Sequence, residues 1–394
     1  MVRSIALTIT LLLSSLSLGA QGLSRAIIEQ DTISYTYRPI DQTSSSSEFG
    51  LRLYDYMHLT ADEPKSVNFS VIGAPGYSVN TGWRLTALGN IEYRSPRNWS
   101  KINTLQLEAT ASLTGFYNIA LKGVNTFGNE RHSIAYRAEL GSMPRQIYGL
   151  DRTTSSGESY GKYTEKIYYA EAIYRWHTTK HLSLGVGTHY TFEKAKNIDS
   201  RAQEIIGSRA TKYSGADLGI MLDFSTHKII DINHQRGIKL HLEASLSPKP
   251  FNNTSHTLYQ IDADANYYVP LWRGALLATD LYAGYKSSNT PWLLRYDLGS
   301  EQRMRGYYSS RYTGNTIFGA QLELRQRIWE GLVVAAWGGT ATTFSHDDIA
   351  SWHKFLPDYG VGIRWYTTAD QAIRIDLGFG RHGHNFVVGF SEPF

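Results

Sequence analysis

The stretch Trp83–Arg94, WRLTALGNIEYR, alternates mainly apolar and mainly polar positions residue by residue. Successive side chains of a β-strand point to opposite faces, so this alternation predicts a strand with one apolar face and one polar face. The same period recurs in Ile238–Leu246, Tyr359–Trp365 and Ile373–Phe379. Many such segments in one chain indicate an all-β protein, which is either a soluble β-sandwich or a membrane barrel.

The composition limits the classes of protein that remain. The 394-residue chain contains 9 Trp, 27 Tyr, 14 Phe and 35 Gly but no Cys, and only 19% of its residues are charged. Its mean hydropathy is nevertheless −0.32, as expected when an apolar and a polar face average out. The lack of Cys excludes disulfide bonds and cysteine-bound metals, and the low hydropathy excludes a bundle of membrane helices.

The first 20 residues have the features of a secretory signal peptide. Arg3 precedes an apolar run from Ile5 to Leu13, and Leu18–Ala20 supplies small residues for cleavage. The run is short for a membrane-spanning helix, which makes an uncleaved anchor the weaker alternative. We therefore predict export to the periplasm, the medium or an outer membrane, with residues 1–20 removed.

From about Ser66 onward, alternating segments of roughly ten residues predict about sixteen strands, an even number as in bacterial barrels. The predicted strand centres are Val71, Leu88, Ala109, Ala120, Tyr136, Ala170, Val186, Gly219, Leu242, Asp262, Leu281, Gln321, Ala335, Val361, Leu377 and Val388. Long connections are expected at about 143–161, 195–209 and 287–313. The predicted fold class is all-β, a transmembrane antiparallel β-barrel.

Aromatic residues near the predicted strand ends favour the membrane barrel, because aromatic girdles mark the two membrane interfaces. These residues are Tyr168, Tyr169, Tyr174, Trp176, Tyr267, Tyr268, Trp272, Trp329 and Trp365. In the last predicted strand Phe386, Val388, Phe390 and Phe394 share one parity, although Glu392 interrupts the apolar pattern. We predict a closing strand with its apolar side outward and Phe394 at its end.

Residues 21–65 do not share the alternation and include the polar run Thr43–Ser47. Two interpretations of this segment stay open, a periplasmic extension or a plug inside the barrel lumen. The predicted organisation is therefore a signal peptide over 1–20, this segment over 21–65, and an outer-membrane barrel over 66–394.

One long connection contains Leu298–Tyr308, LGSEQRMRGYY, in which Met304-Arg305-Gly306-Tyr307 forms a hydrophobic-Arg-Gly-aromatic motif. This segment resembles the sixth extracellular loop of BamA/TamA-type outer-membrane assembly barrels, the bacterial surface antigen type. Gln321–Arg325 is similar to the twelfth strand of that family, and Asp358–Trp365 is similar to the fourteenth. The resemblance spans about residues 66–394, and the nearest likeness is to short members without periplasmic POTRA domains. It implies a long sixth loop folded into the lumen.

The loop motif also has a physical rationale. A loop folded into a barrel lumen must be held against a polar wall, and the planar guanidinium of Arg305 can pair bidentately with a carboxylate. Gly306 allows the loop to turn sharply or to approach the wall closely. Met304 precedes this pair, and Tyr307 follows it as the residue that packs the loop in place.

Two acidic residues at inward-facing positions, Glu323 and Asp376, are the candidate partners of Arg305. In the BamA/TamA family a carboxylate on the thirteenth strand often pairs with this arginine. The matching segment here, Trp337–Ala341, has no carboxylate, which favours Glu323. Two roles stay open for the loop, a plug that only makes the barrel rigid or an active part of the function.

The resemblance also implies a weak seam between the first and last strands. Gly389 and Phe390 lie in the last strand, and Gly73-Ala74-Pro75-Gly76 lies in the first. Gly and Pro weaken strand pairing, and Pro has no N–H to donate. An ordinary sealed barrel with a bend at these residues is the alternative.

By resemblance, the predicted function is to assist the insertion or transport of protein or lipid at the bacterial outer membrane. The implied partners are outer-membrane lipid, protein or lipid clients, and separate periplasmic or lipoprotein accessory proteins, because residues 21–65 are too few for a POTRA domain. A passive or plugged pore for small solutes is the alternative, since a lumen with charges of both signs fits both functions. The formal net charge of +4 indicates no nucleic-acid partner.

We predict that the chain is not an enzyme and has no metal or cofactor. His241 and Glu243 share a strand face but are expected to line the lumen, and His382-Gly383-His384 is expected to form a solvated turn. The sequence has no phosphate-binding glycine loop and no zinc-spaced set of Cys and His.

Overall fold

The computed structural model describes residues 67–394, with gaps at 96–97, 128–129, 151–153, 330, 367–371 and 391, as well as residues 27–29 and 32–34. The predicted signal peptide and nearly all of the segment 21–65 lie outside the described residues, and both stay predictions. Two short strands in this region, Ile27–Glu29 and Thr32–Ser34, pair antiparallel with each other. They belong to a unit, Met1–Pro64, that is distinct from the unit Lys65–Phe394.

Sixteen antiparallel strands form one closed barrel. Their bounds are β1 Val67–Ser78, β2 Gly82–Ser95, β3 Asn98–Ser112, β4 Tyr117–Phe127, β5 His132–Ile147, β6 Gly161–His177, β7 Leu182–Lys196, β8 Lys212–Ser225, β9 His234–Ser247, β10 Leu258–Pro270, β11 Ala275–Lys286, β12 Thr316–Trp329, β13 Leu332–Phe344, β14 Leu356–Tyr366, β15 Ala372–Gly380 and β16 Gly383–Phe390. Each strand pairs with its neighbours in the chain, and β16 pairs with β1. The predicted barrel is thereby confirmed, with each predicted centre inside one strand. A short strand, Lys228–Asp231, pairs with the start of β9.

The two faces of the wall follow the alternation in the sequence. On β2, the apolar Trp83 and Leu85 point outward and are 50% and 64% exposed. Arg84 between them points into the lumen, where it pairs with Glu301. Leu242 on β9 and Val361 on β14 are likewise exposed on the outer surface. A barrel with an apolar outer belt presents its apolar side chains outward and keeps its polar side chains in the lumen, as a membrane requires of a spanning sheet.

The aromatic residues expected in interfacial girdles divide between the two faces. Trp272 and Trp329 lie at strand ends and are more than half exposed, as predicted. Tyr169 instead lines a cavity in the lumen. Tyr268 is buried on the lumenal side of the wall, outside that cavity. The prediction was wrong for these two tyrosines because consecutive residues of a strand point to opposite faces, and the tyrosine before each of them takes the outward position.

The connection between β7 and β8 contains a short helix, α1 (Ser200–Ile206), which the alternation pattern did not predict. Asp199 caps this helix, because its Oδ1 accepts a hydrogen bond from the Ala202 N–H at 2.7 Å. An Asp before a helix and a Gly after it are ordinary boundary signals, and both are present in the sequence. Short 3-10 turns lie at Thr154–Ser156, Lys249–Phe251, Trp292–Leu294 and His346–Ser351. Within the described residues, no helix has the length and apolar character needed to cross a membrane.

Candidate functional site

The connection between β11 and β12, residues 287–315, carries the arginine–glycine motif, and we call it the lumen loop. Tyr296–Asp297 and Thr313–Gly314 pair as a short antiparallel ladder, which closes residues 298–312 into a compact tip. Met304 at this tip has a φ of +52°, a conformation that few residues other than glycine adopt. Its side chain is buried in an apolar cluster formed by the loop and the barrel wall.

Arg305, at the tip of the lumen loop, is completely buried. Its Nη1 donates to Asp376 Oδ2 at 2.9 Å, and its Nη2 donates to Glu323 Oε2. The centre of its guanidinium lies 3.7 Å from the centre of the Trp337 ring. The structure therefore places Arg305 against both candidate partners at once, with an aromatic ring on one face.

Trp337 and Asp358 complete the surroundings of the motif. Trp337 belongs to the segment Trp337–Ala341 of β13, which has no carboxylate, and its ring attracts the guanidinium of Arg305 through a cation–π interaction. Its Nε1 donates to Asp358 Oδ2 at 3.0 Å, while Asp358 Oδ1 accepts from the Gly306 N–H at 2.7 Å. Asp358 therefore binds the backbone of the motif while Trp337 contacts its side chain.

Arg305 belongs to a buried group of charges, which we call the arginine–carboxylate cluster. Its members are Arg305, Glu323, Arg325, Arg364, Arg374, Asp376 and Glu392. Glu323 accepts from Arg325 Nε at 2.8 Å and from Arg364 Nη2 at 3.2 Å. Asp376 accepts from Arg364 and, at 2.8 Å, from Arg374. Each carboxylate is shared among several arginines, which offsets the cost of removing these charges from water.

The strand period explains how the wall supplies this cluster. Glu323 and Arg325 lie two residues apart on β12, and Arg374 and Asp376 lie two residues apart on β15, so each pair faces the lumen from one strand. Arg364 comes from β14 between them. In the sequence, two charged residues spaced by two in one strand indicated that both face the lumen. Which of these charged residues contact each other was decided by the closing of the barrel.

Gly306 and Tyr307 fit the loop against the wall. A Cβ on Gly306 would lie 2.4 Å from the carbonyl carbon of Phe379, so glycine alone fits this approach to β15. The Tyr307 hydroxyl donates to the Pro357 carbonyl at 2.7 Å. Asn385 Nδ2 on β16 donates to the Arg305 carbonyl at 2.9 Å, which connects the loop tip directly to the last strand.

A second arginine of the lumen loop, Arg303, also contacts the wall. Its Nε and Nη2 donate to the two oxygens of Asp280 at 2.7 and 2.8 Å, and Nη2 also pairs with Asp264. Burial alone would lower the pKa of the Arg303 guanidinium, but its hydrogen bonds to these carboxylates and their charges raise that pKa above its ordinary value. On another side of the lumen, Arg84 Nη2 donates to Glu301 Oε2 at 2.6 Å. The loop tip is therefore fixed to widely separated strands.

The closure between β16 and β1 has far fewer registered residue pairs than the hairpins of the barrel. Val388 and Tyr77 form the single registered pair between these strands within the described residues, whereas β15 and β16 share eight. Pro75 in β1 has no N–H to donate. Gly389 on β16 lies beside Arg374 of the cluster, whose Nε would be 3.4 Å from an added Cβ.

Glu392 and Phe394, which follow β16, lie in the lumen. The strand ends at Phe390, and Glu392 Oε2 then accepts from Arg364 Nε at 3.1 Å. Phe394 packs in an apolar cluster with Tyr268 of β10. Phe394 therefore does not end the outward face of the closing strand as predicted, because the chain has left the strand and Glu392 pairs with buried arginines.

The histidines considered for chemistry lie elsewhere. His241 Nδ1 is 2.6 Å from Asp223 Oδ1, and His241 Nε2 is 3.6 Å from Glu243, so these side chains line the lumen wall. His382 lies in the turn between β15 and β16, where its Nε2 is hydrogen-bonded to the Tyr312 hydroxyl. Among the described residues, no group of three or more His, Asp or Glu is arranged to hold a metal ion.

The chain is similar in fold to solved outer-membrane barrels. A structure of BamA from Haemophilus ducreyi lacking POTRA domains 1–3 superposes with a TM-score of 0.57 at 14% identity, covering 84% of this chain and 70% of that one. CdiB from Escherichia coli gives a TM-score of 0.57 at 12% identity, covering 86% and 69%. CdiB from Acinetobacter baumannii gives 0.54 at 12% identity, covering 83% and 60%.

No family model and no curated protein matches the sequence. At 12–14% identity, the similarity to these solved structures is a similarity of fold. This chain forms a closed antiparallel barrel of sixteen strands that is similar in fold to BamA and CdiB.

Proposed function

We propose that this chain is an integral barrel of the bacterial outer membrane that assists the insertion or transport of protein or lipid. The observation that carries the proposal is the lumen loop, which is fixed by Arg305 and also hydrogen-bonded to β16, one of the two strands at the thinly paired closure. A fixed loop beside a weakly paired seam provides a rigid wall and a place where the wall can open. The BamA-like fold supports the same function.

The proposed partners follow from this function. Outer-membrane lipid surrounds the apolar belt, and the clients are outer-membrane proteins or lipids that enter through the seam. Periplasmic or lipoprotein accessory proteins deliver these clients. Isolation of the tagged barrel from membranes, followed by identification of bound periplasmic proteins and lipoproteins, tests this part of the proposal.

Locking the seam tests whether its opening is needed. Tyr77 and Val388 are cross-strand partners of β1 and β16, and the chain has no cysteine of its own. The double variant Tyr77→Cys/Val388→Cys can therefore form one disulfide across the seam, within the distance that cross-strand neighbours span. We expect oxidation of this variant in cells to lower the amounts of other outer-membrane proteins or lipids, and reduction to restore them.

The matched control places the same disulfide in a fully paired hairpin. Leu377 and Phe386 are cross-strand partners of β15 and β16, whose ladder is complete. Oxidised Leu377→Cys/Phe386→Cys is expected to behave as wild type. If both oxidised variants support normal outer-membrane composition, the seam does not open for function and the proposal is lost.

A pore for small solutes is the second candidate, and one observation favours it. The lumen holds a polar cavity of about 450 Å³ lined by charges of both signs. A pore predicts a large, steady conductance of the purified protein in a planar bilayer and unchanged amounts of other outer-membrane proteins when it is depleted. An insertion or transport function instead predicts that depletion lowers the amounts of other outer-membrane proteins.

A further inference from the structure

The cavity in the lumen has a lining that neither the loop anchor nor the seam uses. It lies between strands β5 to β11 and the two ends of the lumen loop, and its volume of about 450 Å³ falls in the range of small-molecule sites. Six carboxylates line it, namely Glu165, Glu171, Glu193, Asp217, Glu243 and Asp297. Arg145, Lys286 and Arg295 are the lysine and arginine side chains of the lining, and His189 adds an imidazole.

The basic side chains of the cavity are already engaged. Arg145 donates to Glu165 Oε2 at 2.9 Å and also pairs with Asp297. Lys286 Nζ donates to the backbone carbonyl of Leu294, and Arg295 donates to the backbone carbonyl of Leu150. These contacts go to two of the six carboxylates and to two backbone carbonyls.

The other four carboxylates form no ion pair with a lysine or arginine within the described part of the chain. Asp217 accepts from His189 at 2.7 Å, and Glu243 lies 3.7 Å from the other nitrogen of the same imidazole. Glu171 accepts a hydrogen bond from the Tyr169 hydroxyl at 2.6 Å. The lining thus keeps an excess of negative charge around a space that is large enough for a ligand.

Glu193 gives the most direct indication of a missing partner. Its Oε2 is buried and has no hydrogen-bond partner among the described residues, although the side chain lines the cavity. A buried carboxylate oxygen left without a donor costs free energy, and a cationic donor in the cavity removes that cost.

Aromatic rings complete the lining. Tyr169, Tyr213 and Trp292 border the same cavity as the carboxylates. Aromatic faces attract ammonium groups, and carboxylates accept their N–H donors. We propose that this cavity binds an organic cation with several primary or secondary ammonium groups, of the polyamine class.

Two other occupants fit the cavity less well. The described residues contain no arrangement of His, Asp and Glu suited to a metal ion. Residues 21–65, the other candidate to fill the lumen, carry seven acidic side chains against four basic ones. Like charges repel, so this segment does not complement an acidic lining.

Calorimetric titration tests the proposal on the full-length barrel in a neutral detergent, with spermidine as the probe. We expect saturable binding of spermidine and no saturable binding of triacetylspermidine, which keeps the carbon chain but lacks the charges. Glu193→Gln is expected to raise the Kd for spermidine by about tenfold or more, because a charge-assisted hydrogen bond is lost. Glu171→Gln should weaken binding in the same direction.

The control replaces a lumenal carboxylate that lies outside the cavity. Glu108 on β3 pairs with Lys122 at 2.9 Å, and Glu108→Gln should leave the Kd unchanged. Heat-dependent migration on a gel establishes that each variant keeps its barrel. Absence of saturable spermidine binding to wild type overturns the proposal, and so does equal affinity for the Glu108, Glu171 and Glu193 variants.

Discussion

Replacement of Arg305 by alanine tests the anchor of the lumen loop most directly. The substitution removes the hydrogen bonds to Asp376 and Glu323 and the contact with the Trp337 ring, all within a completely buried site. We expect the barrel to lose stability and the tip of the loop to leave the wall.

The magnitude follows from what remains after the substitution. Removing one partner of a buried ion pair costs about 3–5 kcal/mol, because the other charge is left without compensation. Here Glu323 keeps Arg325 and Arg364, and Asp376 keeps Arg364 and Arg374. The lower end of that range applies, and we expect a loss of about 3 kcal/mol.

Urea unfolding of the barrel in lipid vesicles, followed by tryptophan fluorescence, measures this loss. Arg311 in the same loop provides the control, because it donates to the exposed Gly157 carbonyl and lies over the Tyr148 ring at 4.6 Å. Arg311→Ala is expected to cost less than about 1 kcal/mol. If Arg305→Ala and Arg311→Ala unfold at the same urea concentration, the cluster does not hold the loop and the reasoning is refuted.

Two further predictions concern the close approach of the loop and the cap of α1. Gly306→Ala places a methyl group 2.4 Å from the Phe379 backbone, and we expect a loss of about 2 kcal/mol from this overpacking in the same unfolding assay. Gly157→Ala, where no atom lies within 4 Å of the new carbon, is the control, and equal stability of the two variants would contradict the prediction. The Ala202 N–H bond, followed by other backbone hydrogen bonds, lowers the pKa of the Asp199 carboxyl. Since the folded pKa lies below the unfolded value of about 3.9, the stabilisation by this cap is complete above that value and is lost as the pH falls through the folded pKa. The amide resonance of Ala202 should therefore titrate below the ordinary Asp range, and Asp199→Asn should abolish the titration. A midpoint at or above the ordinary value would disprove the cap.

Much of the candidate site was visible in the sequence. The motif Met304–Tyr307 and the two possible partners of Arg305 were identifiable, because they lie in an unusual loop and at inward positions of alternating strands. Trp337, Asp358 and Arg364 were not identified as contacts of the loop or its partners. Their strands were predicted, but which residue of each strand stands opposite the loop tip depends on register, and register is a property of the closed ladder.

Glu392 and Phe394 illustrate the same limit. Their parity in the sequence indicated a closing strand with an interruption at Glu392. In the barrel that interruption marks the point where the chain turns inward, because Arg325 and Arg364 offer buried charges to Glu392. The position of those arginines comes from strands 28 or more residues earlier in the chain, which no local pattern can reveal.

The sequence by itself determined the barrel, its number of strands, the face of most residues and the motif of the loop, because a period of two is a local property of the chain. The tertiary structure alone decided which charges meet. Arg305 and Asp376 are 71 positions apart, and Arg84 and Glu301 are 217 apart, yet each pair is in contact within the lumen. Closing the sheet into a circle brings opposite walls together around the loop, and buried charges must then find partners at the distances that the closed wall allows.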